Sequence, residues 1–284
     1  MKPAWTTPAG LLVATFALSM GALLAGALTP QAARAENTSA IEHIKACARS
    51  NVPDPGAIRA MRFTSRDRVG NTKVTRVRIS GKRAEDGSRR ILARFLAPPE
   101  MAGTMLLMIE RDGDNELYFK TPELSEPKLI SGRDQAMTLF GTDFSFEDFQ
   151  NLQSFNRPGH SKQLADSKVS GHDVWVVETL PEDADSSAYE SVVTSIDKKT
   201  CIALKIEMYA PGGRVRKVLN VDPNQIQKRG DVWIAHHALM KDVRDYTETQ
   251  LLVESVETHM DFPADRFDPS SLRTPTTGGG AGSN

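Results

Sequence analysis

The chain is short of the residues that usually announce chemistry. It holds two cysteines, Cys47 and Cys201, in 284 residues, so no C-x-x-C pair is possible. Its six histidines, His43, His160, His172, His236, His237 and His259, are scattered, and no H-E-x-x-H occurs. His236 and His237 are neighbours on an expected strand, so they point to opposite faces and cannot share one metal ion. A G-x-S-x-G elbow and a Walker loop are both missing. Residues 112–115 superficially suggest a calcium loop, but the remaining ligands and the closing glutamate are absent, which leaves a hairpin turn. No catalytic residue, metal site or cofactor emerges, and the expectation is a protein that is not an enzyme. An excess of positive charge is missing too. The 35 Lys and Arg face 36 Asp and Glu, which is no nucleic-acid footprint. The one local bias, Arg62, Arg66, Arg68, Arg76, Arg78, Arg83, Arg89 and Arg90, reads as a solvated sheet face.

Long apolar runs are confined to the start of the chain. Lys2 precedes an apolar stretch over 11–28, followed by Pro30 and then Ala33-Arg34-Ala35, an A-x-A-like cleavage site. The expectation is a secretory signal over 1–35, cleaved after Ala35, and a protein free in the periplasm. A retained membrane anchor is the competing reading, because the run is about as long as a short span. Neither cysteine ends the apolar run, so the lipid-modified cysteine of a lipoprotein is missing. Losing Lys2 and Arg34 takes the 35 basic residues to 33 against 36 acidic ones. At the other end, the Ser/Thr/Pro/Gly-rich stretch from Ser270 to Asn284 buries nothing. The expected domain is therefore 36–272, with a disordered tail over 273–284. In an oxidising compartment Cys47 and Cys201 are either bridged or two buried free thiols, and sequence cannot place their Cα atoms.

What the sequence has in quantity is short alternating strands. Residues 39–50 carry a helical pattern with Ile41, Ile44 and Ala48 on one face, and Ser39 with Glu42 as a capping pair. After Pro55, about ten runs of β character follow at hairpin spacing, with Asp86-Gly87, Gly171-His172, Gly212-Gly213 and Gly230-Asp231 as turns. Ile202, Leu204, Ile206 and Met208 share one face of their run. Val232, Ile234, His236, Ala238 and Met240 share one face of another, and Thr75, Val77 and Ile79 oppose Arg76 and Arg78. One face of a long antiparallel sheet is apolar and must be covered. Only two short helices are available, the second near 145–152, so the sheet must curl over itself as a barrel or half-barrel. Aromatics make up 6 % of the chain, which makes a filled interior harder to build. Ten methionines would suit a variable apolar guest, and they would equally suit plain core packing.

One stretch stands apart: Leu139-Phe140-Gly141-Thr142-Asp143-Phe144-Ser145-Phe146-Glu147-Asp148-Phe149. Four phenylalanines fall in ten residues, and Ser145 with Asp148 forms a capping pair. The segment reads as a cavity lip or gate, or else as a core staple.

Here the sequence resembles the outer-membrane lipoprotein-sorting (LolA-like) family, in particular its branch associated with MMPL/RND-type exporters. The carrying residues are Arg94-Phe95-Leu96-Ala97-Pro98-Pro99 with Gly103-Thr104, the strand Leu117-Tyr118-Phe119-Lys120-Thr121-Pro122-Glu123-Leu124, and Phe140-Gly141-Thr142-Asp143-Phe144 with Glu147-Asp148. Asp197-Lys198-Lys199-Thr200 and Phe267 near Leu272 complete the match. The resemblance implies an unclosed antiparallel β-barrel, a few short helices lidding its concave face, and a cavity that shields acyl chains. It implies a monomeric carrier of a lipid or acylated lipoprotein working with an inner-membrane RND/MMPL-type exporter. The alternative is a periplasmic sensor of the sigma-factor regulator type. The residues expected at the cavity or its gate are Phe140, Phe144, Phe146, Leu107, Tyr118, Leu204, Ile206, Met208 and Met240.

If the signal reading holds, N-terminal sequencing of periplasmic material will begin at Glu36. Material beginning at Met1 would restore the anchor.

Overall fold

A computed structural model describes residues 30–51, 56–85, 88–111, 114–153 and 159–273. The apolar leader, the Asp86-Gly87 turn and the glycine-rich tail lie outside the described residues. The chain opens with helix α1 (Pro30–Arg49), which begins nine residues before the expected Ser39. Helix-favouring Gln31, Ala32, Ala33, Arg34 and Ala35 account for the extension. The expected cleavage position after Ala35 falls on this early part of the helix.

Strands β1 (Gly56–Arg66), β2 (Thr72–Arg83), β3 (Arg89–Ala97), β4 (Met105–Arg111), β5 (Asp114–Lys120) and β6 (Lys128–Ile130) follow. Helix α2 (Phe146–Gln153) separates them from β7 (Gly159–Gln163), β8 (Ser167–Val169), β9 (His172–Pro181), β10 (Ser191–Asp197), β11 (Ala203–Ala210) and β12 (Arg214–Val221). The last are β13 (Ile226–Arg229), β14 (Val232–Ala235), β15 (His237–Asp242) and β16 (Thr247–Thr258). The 232–240 run, expected as one strand, is two. His236 is the break, its amide donating to the Gln225 carbonyl while its own carbonyl accepts from Val253. As a result β14 pairs with β13, and β15 joins the main sheet.

That main sheet has 14 strands, in the order β6-β5-β4-β3-β2-β1-β16-β15-β12-β11-β10-β9-β7, with β8 also on β9. Every pairing is antiparallel. Two meanders, β1 to β6 and β7 to β15, are stitched together by β1 against β16. The sheet does not close, and β6 and β7 stand at opposite edges. They are nonetheless consecutive strands, and the described part of the connection between them, residues 131–153, runs over the face of the sheet. It crosses on the concave side, where the phenylalanine segment packs against the main core. This is the mainly antiparallel, unclosed half-barrel with few helices that the family resemblance implied; the strand pattern alone left barrel and half-barrel open.

The concave core contains Met61, Val77, Ile79, Ala93, Phe95, Leu106, Met108, Leu117, Ile206, Met208, Leu219 and Met240. A second apolar layer lies on the outer face, where Leu92, Leu107 and Ile109 are covered by Phe267 and Leu272 of the C-terminal 3-10 turns. The sheet is therefore buried on both faces at β3 to β5.

Cys47 and Cys201 form a disulfide with their Cα atoms 5.5 Å apart, tying the end of α1 to the turn before β11. It closes a loop between residues 154 positions apart. Replacing both cysteines by serine should cost about 2–5 kcal/mol, since long loops gain most from closure. Denaturant melts of Cys47→Ser/Cys201→Ser against the oxidised protein measure this, and equal midpoints would show that the tether adds nothing.

Candidate functional site

The concave face is covered by two different structures. Over β1 to β5 lies the 139–149 segment, a plug. Phe140 and Gly141 both take positive φ, 55° and 78°, and the chain turns sharply there. Gly141 adopts this freely, whereas Phe140 holds it against a steric cost. The turn is closed by Thr142, whose hydroxyl donates to the Leu139 carbonyl at 2.7 Å. Phe144 then meets Phe63 edge-on at 5.6 Å, Phe140 meets Phe95 at 4.7 Å, and Phe146 meets Phe119 at 5.7 Å. Phe144 and Phe146 are each 3 % exposed.

The acids of the plug anchor it on three sides. The backbone N–H of Asp143 donates to Thr249 Oγ1 at 2.9 Å, and its carboxylate accepts from the hydroxyls of Thr247 and Thr249. Burial raises the pKa of that carboxyl despite those two hydrogen bonds. Glu147 accepts from the Ser187 hydroxyl at 2.6 Å and the Ala188 amide at 2.9 Å. Asp148 caps α2 reciprocally with Ser145: the Ser145 amide donates to its carboxylate at 2.8 Å, and its own amide donates to Ser145 Oγ at 3.0 Å. The same carboxylate accepts from Lys217 Nζ of β12 at 2.7 Å and from the Tyr189 hydroxyl at 2.8 Å. Asp148 and Lys217 are buried, and burial with the Asp148 charge pushes the Tyr189 phenol far above its ordinary value.

Over β7 and β9 to β11 lies α1. Ile41, Ile44 and Ala48 face down, as their spacing predicts. Beneath them is an apolar cavity of about 120 Å³ whose floor includes Val177, Val192, Thr194, Ile196, Ala203 and Ile206. Leu152 of α2 forms one wall and also borders a second cavity of about 40 Å³, enclosed by Met61, Phe63, Val77 and Phe144. The helix is clipped at both ends. Asn37 donates to the Ser161 carbonyl at 3.3 Å and accepts from the Gln163 amide at 2.9 Å. Beyond the disulfide, Asn51 donates to the Thr200 carbonyl at 2.6 Å and accepts from the Trp233 amide at 2.8 Å.

Of the expected cavity residues, Ile206 borders the larger cavity and Phe144 the smaller. Phe140, Phe146, Met208 and Met240 lie in or against the same concave core. Three expectations need correction. Leu107 and Tyr118 are on the outer face under the C-terminal turns, because strict alternation along β4 and β5 gives the inner positions to Leu106, Met108, Leu117 and Phe119. Leu204 is also on the outer side, packed with Val174 and Val176. A bulge reverses the alternation there: Ser195 opposes Lys205, whereas Ile196 opposes Ala203, and Ala203 rather than Leu204 joins Ile206 at the cavity. Sequence reasoning missed Lys217. Its one signal was position, since it alternates with Leu219, a core residue.

The geometry defines a LolA-like half-barrel, and comparison of folds agrees. A provisionally named outer membrane lipoprotein-sorting protein domain from Vibrio parahaemolyticus is similar at TM-score 0.73 and 24 % identity, covering 82 % of this chain and 97 % of that one. A DUF1329 family protein from Desulfovibrio piger is similar at 0.74 and 18 %, covering 84 % and 99 %. A LolA superfamily protein from Nitrosomonas europaea is similar at 0.61 and 16 %, covering 80 % and 96 %. At these identities the likeness concerns the fold. No curated protein matches the chain in sequence. Residues 87–274 match the model of a family described as uncharacterized, and the chain belongs to that family.

Removing one partner of a buried ion pair leaves the other charged and dry, which costs about 3–5 kcal/mol. Lys217→Met should therefore destabilise the protein by that amount, and Phe144→Ala by about 3–5 kcal/mol through its cavity. Chemical denaturation of each variant tests the anchoring. A loss below about 1 kcal/mol for Lys217→Met, no more than an ordinary surface pair is worth, would remove the pair from its structural role.

Proposed function

We propose that the protein is a periplasmic carrier that shelters a lipid or a lipoprotein acyl chain between α1 and the concave face of the sheet. The observation that carries this reading is the mainly apolar cavity under a clipped helix, lined chiefly by Ile, Val, Leu and Ala side chains, with Lys45, Asn151, Ser161, Thr179 and Thr194 also on its wall. The apolar part of this lining supplies transfer free energy of about 0.8 kcal/mol per buried methylene. At about 120 Å³ the larger cavity is well below the roughly 300–1,000 Å³ typical of ligand pockets. The described form is thus a closed one, and uptake requires α1 to lift and Leu152 to yield, which would join the two cavities. The plug is the fixed wall in this scheme, and α1 is the lid. An inner-membrane exporter of the RND/MMPL type is the partner we propose for loading or unloading, following the resemblance of the sequence motifs.

A fluorescent fatty acid titrated into the purified protein, with mass spectrometry of co-purifying lipids, tests the reading. Saturable uptake should be lost in Ile206→Asp, which places an unpaired charge in the cavity. Should that variant unfold, Ala203→Phe fills the same space without charge and should weaken uptake at least about tenfold. Failure of the wild-type protein to take up any acyl probe, with no lipid co-purifying, would overturn the carrier.

A further inference from the structure

The outer face of the sheet holds a second site of opposite chemistry. Arg78 of β2 and Arg94 of β3 are directly paired across the strands and are both exposed. Like charges placed opposite each other in a sheet repel, so the pair costs stability unless something else occupies the position. Arg266, from the 3-10 turn Ala264–Phe267, converges on them and donates to the buried Ser80 hydroxyl at 3.1 Å. Together with Leu92 these residues enclose a hollow of about 290 Å³, larger than either cavity described on the concave side.

Two facts separate this cluster from an ordinary solvated basic face. The neighbouring bases have acid partners: Arg62 with Glu254 at 2.9 Å, Arg66 with Glu248 at 3.7 Å and Lys73 with Glu100 at 3.3 Å. Among the described residues, no carboxylate lies within ion-pair distance of Arg78, Arg94 or Arg266. Moreover, Arg266 Nε is buried without a hydrogen-bond partner, which in a folded protein calls for an occupant. The Arg266 guanidinium lies 5.1 Å from the centre of the Phe262 ring, and burial, then the charges of Arg94 and Arg78, lower its pKa.

We propose that Arg78, Arg94, Arg266 and Ser80 form a binding site for a phosphate ester on the outer face of the half-barrel. A carboxylate is planar and satisfies one guanidinium fork. A tetrahedral phosphate accepts from several directions at once, as three arginines arriving from two strands and a turn require. The hollow exceeds the size of a bare phosphate, and Leu92 gives it an apolar floor suited to the organic part of the ester. The phosphate is supplied either by a lipid headgroup at a membrane surface or by a free phosphate compound. The site stands apart from the acyl cavity, and its test is independent of the carrier reading.

The test uses calorimetric titration of the purified protein with inorganic phosphate and glycerol 3-phosphate, and co-sedimentation with vesicles of phosphatidylglycerol or of phosphatidylcholine. Arg78→Gln/Arg94→Gln removes two exposed charges that repel each other, so its melting temperature should be at or above that of the wild type. Lys168→Gln/Lys228→Gln removes the same charge elsewhere. Wild-type protein and the lysine variant should bind, with the arginine variant at least about tenfold weaker. Capture by phosphatidylglycerol vesicles alone assigns the headgroup source, and binding of soluble phosphate without vesicle capture assigns the free one. The proposal falls if the wild type binds neither, if the arginine variant binds within about twofold of wild type, or if the lysine variant loses as much.

Discussion

The ion pair between Asp148 and Lys217, 2.7 Å apart and almost wholly removed from water, is the constraint on which the concave side depends. Charges in such a place cost several kcal/mol each to desolvate, and their attraction offsets this only when the remaining donors and acceptors are also met. Here they are. Asp148 takes two further hydrogen bonds, from the Ser145 amide and the Tyr189 hydroxyl. The Lys217 ammonium also lies 5.9 Å from the centre of the Tyr189 ring. An apolar pair of the same size would hold the elements together about as well. What the ion pair adds is position. It sets α2 at one place along β12, and through α2 it sets Phe144, Phe146 and Phe149 against the facing strands.

That position matters because of the topology. An open sheet whose consecutive strands β6 and β7 lie at opposite edges has to send a connection across its own mouth. A crossing segment has backbone amides and carbonyls with no strand neighbours to pair with, and leaving them bare would be costly. The plug meets this need with side chains. Asp143 reaches β16, Glu147 reaches the 187–188 turn, Asp148 reaches β12, and Thr142 and Ser145 close the local turns. Acidic residues that look like solvent-facing helix dressing in the sequence are instead the fasteners of a buried crossing.

This is also where the sequence is hardest to read. Alternation revealed most strands and the curl of the sheet, because apolar and polar faces differ along β2, β11 and β15. Ser145 and Asp148 announced the start of α2, since a reciprocal cap is a local pattern. Leu107 and Tyr118, expected at the cavity, lie on the outer face. Both faces of β4 and β5 are buried, so an apolar residue there does not reveal which side it serves. Leu204 failed for another reason: the bulge against β10 adds one residue, and no single residue type marks a bulge. Lys217 failed because a charged residue beside a core position is taken for a polar face until its partner, 69 residues away, is in view.

The two covers of the concave face differ in what it costs to remove them. Lifting α1 bares Ile41, Ile44 and Ala48 and breaks the Asn37 contacts, while the disulfide at Cys47 keeps the helix attached. Each isoleucine is worth about 1.5–3 kcal/mol of burial. Lifting the plug would bare Phe144, Phe146 and Phe149 and would part Asp148 from Lys217, a break costing about 3–5 kcal/mol by itself. In the carrier we propose, an acyl chain entering beneath α1 would recover about 0.8 kcal/mol for each methylene it hides, so a handful of methylenes would offset the opening of the helix. The same handful falls well short of what displacing the plug demands. Opening the half-barrel thus costs less at the helix than where the phenylalanines cross it. The disulfide holds the C-terminal end of that helix covalently, whereas the Asn37 side is held by hydrogen bonds alone, so an opening of the carrier we propose would begin there.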